Sequence, residues 1–236
     1  MNKRIIKAGF VCTMLLCLSS CEKFLEENNE TQYSVDYIYS TPSGLELAMN
    51  AVYSLHKSLL ADNGGNESPS WWALERGTDI VATCGGTGNF YGIYDPNYLK
   101  PSAGQVLYIW KINYQIISRC NEIIWYGDQM EQSDELKRTL AQAHGFRAQS
   151  YFQLFRIFDR IWLNTLPVTP ENVNEERDYR AATAAEVYEL LYSDLNYAAE
   201  NLPWTSYEAG RFNQGAARLI LAKVALWKKD WETALK

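Results

Sequence analysis

Cys21 is the residue of this chain whose neighbours most clearly predict a covalent modification. The residues before it include Lys3, Arg4 and Lys7 and no acidic side chain. An apolar run of about 11 residues follows over positions 8 to 18, which suits a secretory leader and falls short of the roughly 20 needed to span a membrane. Because this run ends in Leu-Ser-Ser-Cys, a lipobox pattern, we expect cleavage before Cys21 and lipid on its sulfur.

Lipid on Cys21 predicts attachment to a membrane. One acyl chain holds a protein only weakly, whereas a bacterial lipoprotein cysteine carries several chains, which makes the attachment stable. An ordinary secretory leader that happens to end near a cysteine is the alternative. Removal of the leader takes three positive charges with it, so the formal net charge of −6 becomes −9. Because such an acidic surface repels phosphate backbones, nucleic-acid binding is not expected.

One pair of carboxylates has a spacing that catalysis could use. Glu75 and Asp79 are four residues apart and would share one face of a helix, as the two carboxylates of a glycosidase might. Such pairs occur on most exposed helices, and the sequence contains no nucleophile elbow, phosphate loop or zinc motif. We therefore expect a protein that is not an enzyme and needs no cofactor, with a glycoside hydrolase as the less favoured alternative.

Metal-binding patterns are weak throughout the sequence. His56 and His144 are single and far apart, and neither lies in a carboxylate pattern with the spacing of metal ligands, so no metal site is predicted. The segment over residues 62 to 67 resembles a calcium loop only faintly, because it lacks the regular ligand spacing and the final Glu. Cys84 and Cys120 remain after maturation. A disulfide between them is one alternative, but the apolar helical pattern around Cys120 favours a buried thiol.

Hydrophobic periodicity predicts an all-α protein. Five segments place apolar side chains at spacings of three and four residues, and no alternating strand pattern competes with them. The third is apolar on most of its sides, so we expect it to pack between other helices. The predicted helices cover residues 44 to 60, 105 to 126, 134 to 158, 184 to 201 and 213 to 228.

The segments outside these helices differ in character. Residues 21 to 43 are acidic and polar and are expected to form a lipidated tether with little structure, with Thr41-Pro42 capping the first helix. Residues 163 to 183 are interpreted as an ordinary connector. Residues 82 to 104 are rich in Gly and aromatic side chains. A loop of about 23 residues without a helix of its own is usually functional or disordered.

The end of the chain carries the spacing of a tetratricopeptide repeat. Small side chains precede a tight turn, and an aromatic residue and an Ala open the next helix. A repeat buries its apolar face against its second helix and the next repeat, so we expect the chain to be the N-terminal portion of a longer protein. A natural end with a frayed last helix is the alternative. The residues of this pattern are Leu221, Ala222, Ala225, Asp230, Trp231 and Ala234, and those left without partners are Leu226, Trp227 and Leu235.

An ordered set of short motifs resembles the SusD/RagB family of outer-membrane nutrient-binding lipoproteins. Each motif is weak alone, but together they follow the order of the family over nearly all of the mature chain. Family members are about twice this long, so ligand residues contributed by their second half are absent here. The motifs are Cys21-Glu22-Lys23-Phe24-Leu25, Trp110, Tyr114, Asn121, Phe146-Arg147-Ala148, Tyr151-Phe152-Gln153-Leu154, Leu166-Pro167, Arg180, Val187-Tyr188, Asp194-Leu195, Leu202-Pro203, Gly210-Arg211, Ala216-Ala217, Leu221-Ala222 and Asp230-Trp231.

The resemblance implies a fold and a function. The fold would be an α-helical body of tetratricopeptide-like helix pairs over residues 44 to 236, with long irregular loops and incomplete at the C-terminus. The protein would lie over a SusC-like TonB-dependent transporter of the outer membrane and present oligosaccharides, or in some members peptides, for import. The acidic residues after Cys21 resemble the signal that sends such lipoproteins to the cell surface. A scaffold that binds only proteins is a further alternative.

Aromatic side chains in the Gly-rich loop over residues 82 to 104, and the pair Trp71 and Trp72 at the edge of this loop, suit this function. Sugars present flat C–H faces, which Tyr and Trp rings cover with little loss of side-chain entropy, while polar groups bind the hydroxyls. We predict that these residues form the N-terminal rim of a ligand site. For the Trp pair, a role as core anchors is equally compatible with the pattern. The predicted rim, supported by Phe90 and Tyr98, consists of Trp71, Trp72, Asp79, Asn89, Tyr91 and Tyr94.

Arg147 lies among the aromatic residues of the third predicted helix. A charged side chain in such surroundings requires a partner, because an unpaired buried charge is very costly. We expect Arg147 to be paired within the helix stack, with Asp194 as the candidate partner, rather than to be catalytic.

Overall fold

A computed structural model describes residues 35–60, 104–169 and 172–235 of the chain. All regular elements in these ranges are helices, which confirms the all-α prediction for this part of the chain. They are α1 (Val35–Ser40), α2 (Pro42–Leu60), α3 (Gly104–Gly127), α4 (Asp134–Phe158), α5 (Ala184–Asn201), α6 (Gln214–Lys228) and α7 (Trp231–Ala234).

Polar side chains at the helix starts explain where the helices begin. The side chains of Ser133 and Asn213 accept hydrogen bonds from the backbone N–H groups of the first turns of α4 and α6. Thr183 and Glu186 form a reciprocal capping box at the start of α5. Each cap satisfies N–H groups that have no partner inside the helix and contributes about 1 kcal/mol.

The expectation of an unstructured tether is wrong for residues 35 to 43. α1 lies within that range, and α2 begins at Pro42 with its first turn capped by the Thr41 hydroxyl, 3.0 Å from the Gly44 nitrogen. The Tyr39 hydroxyl donates to Glu122 on α3. A side chain at Gly44 would collide with the carbonyl oxygens of Tyr37 and Ile38, so α1 packs on α2 only because this position is a glycine. Tertiary contacts thus order a segment that has little periodicity of its own.

α4 is the central helix, as its apolar pattern predicted. Its first half lies in one apolar cluster with residues of α2, α3, α5 and α6, and its second half lies in another with the first half of α5. Tyr151, Leu140 and Leu154 on α4 are completely buried. Burial of each such leucine contributes about 2 kcal/mol. At Gly145 an added side chain would lie 2.6 Å from the Phe212 ring, so the close approach of these two elements requires glycine.

The C-terminal helices follow the predicted repeat pattern. α6 ends at Lys228, and the next residue, Lys229, adopts a left-handed conformation with φ 64°. Asp230 caps α7 by accepting from the Thr233 N–H. The side chains of Leu226, Trp227 and Leu235 are more than half exposed, as expected from the pattern. Within the described ranges, no helix is both long enough and apolar enough to cross a membrane.

Candidate functional site

The residues predicted for modification and ligand binding lie outside the described part of the chain. This holds for the lipidation site Cys21 and for the predicted rim. It also holds for the carboxylate Glu75 and for Cys84. These assignments therefore stay predictions. The rim residues concerned are Trp71, Trp72, Asp79, Asn89, Tyr91 and Tyr94.

A buried charge network joins α3, α4 and α5. The guanidinium of Arg147 donates to both carboxylate oxygens of Asp194, over 2.8 and 2.7 Å, and to the side-chain oxygen of Asn121 over 3.0 Å. All three side chains are almost completely buried. The predicted pairing of Arg147 with Asp194 is confirmed. Because the guanidinium is fully engaged, its position is fixed by three helices at once.

Electrostatics inside this network favour the ionised pair. Burial by itself would raise the pKa of Asp194, but the hydrogen bonds and charge of Arg147, with a smaller contribution from His144, lower that pKa below its ordinary value. Burial by itself would lower the pKa of Arg147, whereas its bonds to Asp194 raise it. His144 Nδ1 lies 2.6 Å from Asp194 Oδ1. The network therefore stabilises the helix stack and has the character of a structural element.

Neither a metal centre nor a reactive thiol is present in this part of the molecule. Among the described residues, no group of His, Cys, Asp and Glu side chains could hold a metal ion. Cys120 is a free, completely buried thiol, and burial raises its pKa. A buried thiol of this kind is inert, because the reactive form is the thiolate.

The same buried network extends to the connector between α4 and α5. The Asn121 amide donates to the Asn164 carbonyl over 2.8 Å. The Tyr151 hydroxyl donates to the same carbonyl over 2.7 Å and accepts from the Asn164 N–H over 2.8 Å. The Tyr114 hydroxyl does the same for Trp162, with distances of 2.9 and 3.0 Å. Side chains of α3 and α4 thus make the backbone hydrogen bonds that a neighbouring strand would make in a sheet. These bonds hold residues 162 and 164 in place.

These bonds hold one wall of a surface pocket of about 300 Å³, which we call the connector pocket. Arg180 donates to both carboxylate oxygens of Glu186, over 3.0 and 2.5 Å, and its Nε lies 3.1 Å from Asp178 Oδ2. The Arg180 side chain is 56% exposed, so this ion-pair group faces solvent. The lining consists of Trp162, Leu163, Asp178, Arg180, Ala182 and Glu186.

The aromatic wall of the connector pocket is fixed in orientation. The indole N–H of Trp162 donates to the Asp178 carbonyl over 2.7 Å. The Tyr179 ring packs on the indole with a centroid distance of 4.9 Å and a tilt of 42°. Tyr179 is 70% exposed, so the pair extends from the pocket to the surface. Such a combination of an aromatic plane and charged groups can bind a ligand that has both apolar faces and hydroxyls.

A second opening of about 450 Å³ lies between α5, α6 and α7. Its polar lining includes Asn196, Glu200 and Arg218, which are exposed side chains on the outer faces of α5 and α6. Exposed polar residues on helix faces are normal for a solvated surface. This opening therefore gives less indication of a ligand than the connector pocket.

The composition of residues 163 to 183 predicts an ordinary connector and gives no direct indication of the connector pocket. Two signals were present in the sequence: the aromatic residues Trp162 and Tyr179, and the Thr183-Glu186 spacing of a capping box that also places a carboxylate beside Arg180. Neither signal indicates that residues 162 and 180 line the same pocket, because their proximity depends on how the connector folds back. Only the tertiary structure brings them together.

Comparison with known proteins gives a consistent result. A SusD-like family model, described as starch-binding and associating with the outer membrane, matches residues 49–226. A SusD-like protein of Bacteroides ovatus is 27% identical over 94% of this chain and 39% of its own length. A laminarin-binding SusD-like protein of known structure is 25% identical and superposes with a TM-score of 0.66 over 81% of this chain and 41% of its own.

A third relative supports the fold alone. A SusD-like carbohydrate-binding protein of Bacteroides fragilis superposes with a TM-score of 0.66 at 22% identity, over 84% of this chain and 39% of that protein. The chain thus spans less than half the length of the relatives it matches. The two solved structures share the helical fold of this chain over the superposed residues.

Proposed function

Because this chain belongs to the SusD-like family, we propose that it is a cell-surface lipoprotein that binds oligosaccharides and passes them to a SusC-like TonB-dependent transporter of the outer membrane. The observation that carries the proposal is the family match over residues 49–226. The motifs from Trp110 to Leu221-Ala222 that resembled the family in the sequence lie within the matched residues. A peptide ligand in place of the glycan is the nearest alternative.

Carbohydrate is the ligand that the relatives favour. The family description names starch, and one structural relative is named for laminarin. The predicted rim supplies aromatic planes and two polar groups, Asp79 and Asn89, of the kinds that bind sugar faces and hydroxyls. We propose that the rim contacts the glycan.

Calorimetric titration with maltoheptaose and laminarihexaose tests glycan binding. We expect saturable binding of at least one of the two by the protein purified without its leader, and at least tenfold weaker binding after Tyr91→Ala and Tyr94→Ala together. Trp204→Ala, which removes another exposed aromatic ring, is the matched control and should bind as wild type does. Absence of binding to both glycans, with binding of peptides instead, would replace the glycan proposal by the peptide alternative.

The proposed protein does not cleave its ligand. Prolonged incubation with either glycan should release no reducing sugar, because the sequence carries no catalytic motif beyond the weak Glu75–Asp79 pair. Release of reducing ends, abolished by Glu75→Gln, would instead establish a glycoside hydrolase.

Attachment to the membrane is proposed to run through lipid on Cys21. Cells grown with labelled palmitate should incorporate label into the protein, and Cys21→Ala should abolish incorporation and leave the leader uncut.

Delivery to a transporter requires a complex, so an affinity-tagged protein should retain a TonB-dependent barrel after membrane solubilisation. Retention of the barrel without any glycan binding would favour the scaffold alternative.

A further inference from the structure

We propose that the connector pocket binds one uncharged sugar residue of the glycan, through residues other than those of the predicted rim. This inference rests on the proposed function and adds to it a second contact within the described residues. The lining residues that carry it are Trp162, Leu163, Asp178 and Glu186.

The backbone at Leu163 offers the first argument. The N–H and C=O groups of Trp162 and Asn164 point to the helices, where Tyr114 and Tyr151 bind them. In an extended segment the N–H and C=O groups of successive residues point to opposite sides. Ile161 fits this pattern, since its carbonyl accepts from the Ala182 N–H over 2.8 Å, on the side away from the helices. Leu163 shares that side, and neither its N–H nor its C=O has a hydrogen-bond partner among the residues described.

These N–H and C=O groups, which have no hydrogen-bond partner within residues 35–60, 104–169 and 172–235, belong to a residue that lines the pocket. One donor and one acceptor side by side match a sugar hydroxyl, which can both accept and donate. A strand-like pairing that continued from Ile161 and Ala182 would use Leu163 and Arg180 as its next pair. Leu163 and Arg180 make no backbone hydrogen bond to each other, and both residues line the pocket.

Charge favours a neutral ligand over an anion. The two carboxylates and one guanidinium of the pocket sum to one negative charge, and Arg180 is already bound to Glu186 and Asp178. The side-chain hydrogen bond from Arg180, followed by bonds from Thr183, lowers the pKa of Glu186 to about 2, so the carboxylate is ionised at neutral pH. Carboxylate oxygens accept hydrogen bonds from hydroxyls and repel phosphate or sulfate.

Size and rigidity agree with one sugar ring. A volume of about 300 Å³ lies at the lower end of the range for small-molecule sites, which suits one ring rather than an enclosed chain. The indole of Trp162 is held by its bond to Asp178, and its backbone is held by Tyr114. Because these groups are already ordered, binding costs little conformational entropy.

Residue-specific NMR titration tests the site directly. Uniformly ¹⁵N-labelled protein is titrated with maltoheptaose and with laminarihexaose, and the backbone cross-peak of Leu163 and the indole cross-peak of Trp162 are followed. We expect both peaks to shift in a saturable way with the glycan that calorimetry shows to bind. The wild-type titration needs no variant, so it is independent of any effect of mutation on folding.

A pocket-filling variant provides the second arm. Ala182→Leu adds a larger side chain to the lining and keeps the Ala182 N–H bond to Ile161. We expect the apparent affinity reported by the Leu163 peak to fall at least tenfold. Ala185→Leu, the same change at an exposed position on the first turn of α5, should leave it unchanged.

The outcomes separate this inference from the function it rests on. Glycan binding in calorimetry with unmoved Leu163 and Trp162 peaks, or with an Ala182→Leu titration equal to wild type, would overturn the connector site and leave the proposed function intact. Binding of neither glycan in calorimetry would overturn both.

Discussion

Two arginines of this chain make nearly the same bonds in opposite surroundings. Arg147 contacts Asp194 over 2.7 to 2.8 Å, and Arg180 contacts Glu186 over 2.5 to 3.0 Å. The Arg147 and Asp194 side chains are 6% and 1% exposed, whereas those of Arg180 and Glu186 are 56% and 39% exposed. Bond lengths alone would not distinguish the two pairs.

The difference lies in what happens when one partner is lost. An exposed charge returns to water, so an exposed pair contributes little to stability. A buried charge without its partner remains in a medium of low dielectric constant, which costs several kcal/mol. The buried pair therefore holds the helices together, while the exposed pair is available to shape a surface site.

The largest expected effect tests the buried pair. Asp194→Asn keeps the shape of the side chain but leaves the Arg147 charge uncompensated, so we expect the free energy of unfolding to fall by about 3–5 kcal/mol. Urea denaturation measured by circular dichroism checks this. Glu189→Gln, which neutralises an exposed carboxylate on the same helix, should change the value by less than about 0.5 kcal/mol. Equal losses in both variants would remove the distinction between buried and exposed charge.

Low pH should weaken the pair of Arg147 and Asp194 gradually, as Asp194 takes up a proton. The pKa of Asp194 is lowered in the folded protein, so its stabilising contribution is complete above the ordinary carboxyl pKa of about 4 and is lost as the pH falls through the lowered value. The difference in unfolding free energy between wild type and Asp194→Asn should therefore be largest near pH 7 and shrink below about pH 4. A difference that grows on acidification would mean that the pKa is raised rather than lowered.

Tyr151→Phe probes the link between the buried network and the connector pocket. The lost hydroxyl leaves the partly buried Asn164 N–H without its partner, so the expected cost is about 1–3 kcal/mol in thermal or urea unfolding. Tyr179→Phe, which removes a hydroxyl from an exposed ring, serves as the control and should be neutral. Equal unfolding free energies for the two variants would show that the connector does not depend on the hydrogen bonds between Tyr151 and Asn164.

The smallest effect is expected for the exposed pair. Arg180→Ala should shift the melting temperature by no more than about 2 °C, because Asp178 and Glu186 remain hydrated without it. Differential scanning calorimetry is sensitive enough to detect a larger change. A loss comparable to that of Asp194→Asn would show that exposure does not decide the role of an ion pair in this protein.

The helical elements were predictable because each carries its own signal. The spacing of apolar residues located α2 to α6 to within a few residues, and the repeat pattern placed the turn before Trp231. The pairing of Arg147 with Asp194 was predictable as well, because a charged side chain among aromatic residues needs a partner within the helix stack. α1 was not, since its order depends on contacts of Tyr39 and Gly44 with other elements.

The connector shows what local patterns cannot supply. Trp162 and Arg180 are far apart in the sequence, and no periodicity joins them. Both line the connector pocket, where Tyr114, Tyr151 and Asn121, on two different helices, fix the backbone at residues 162 and 164. Each of these polar side chains by itself would be interpreted as an ordinary helix residue.

The sequence by itself determined the helical class, the position of the main helices, the pairing of the buried charges and the resemblance to SusD-like proteins. These follow from short-range periodicity, from the need of a buried charge for a partner, and from ordered motifs. The tertiary structure alone decided that the connector folds back on α3 and α4 and opens a pocket beside Trp162. That arrangement depends on hydrogen bonds between residues distant in the chain, whose geometry exists only after the helices have packed.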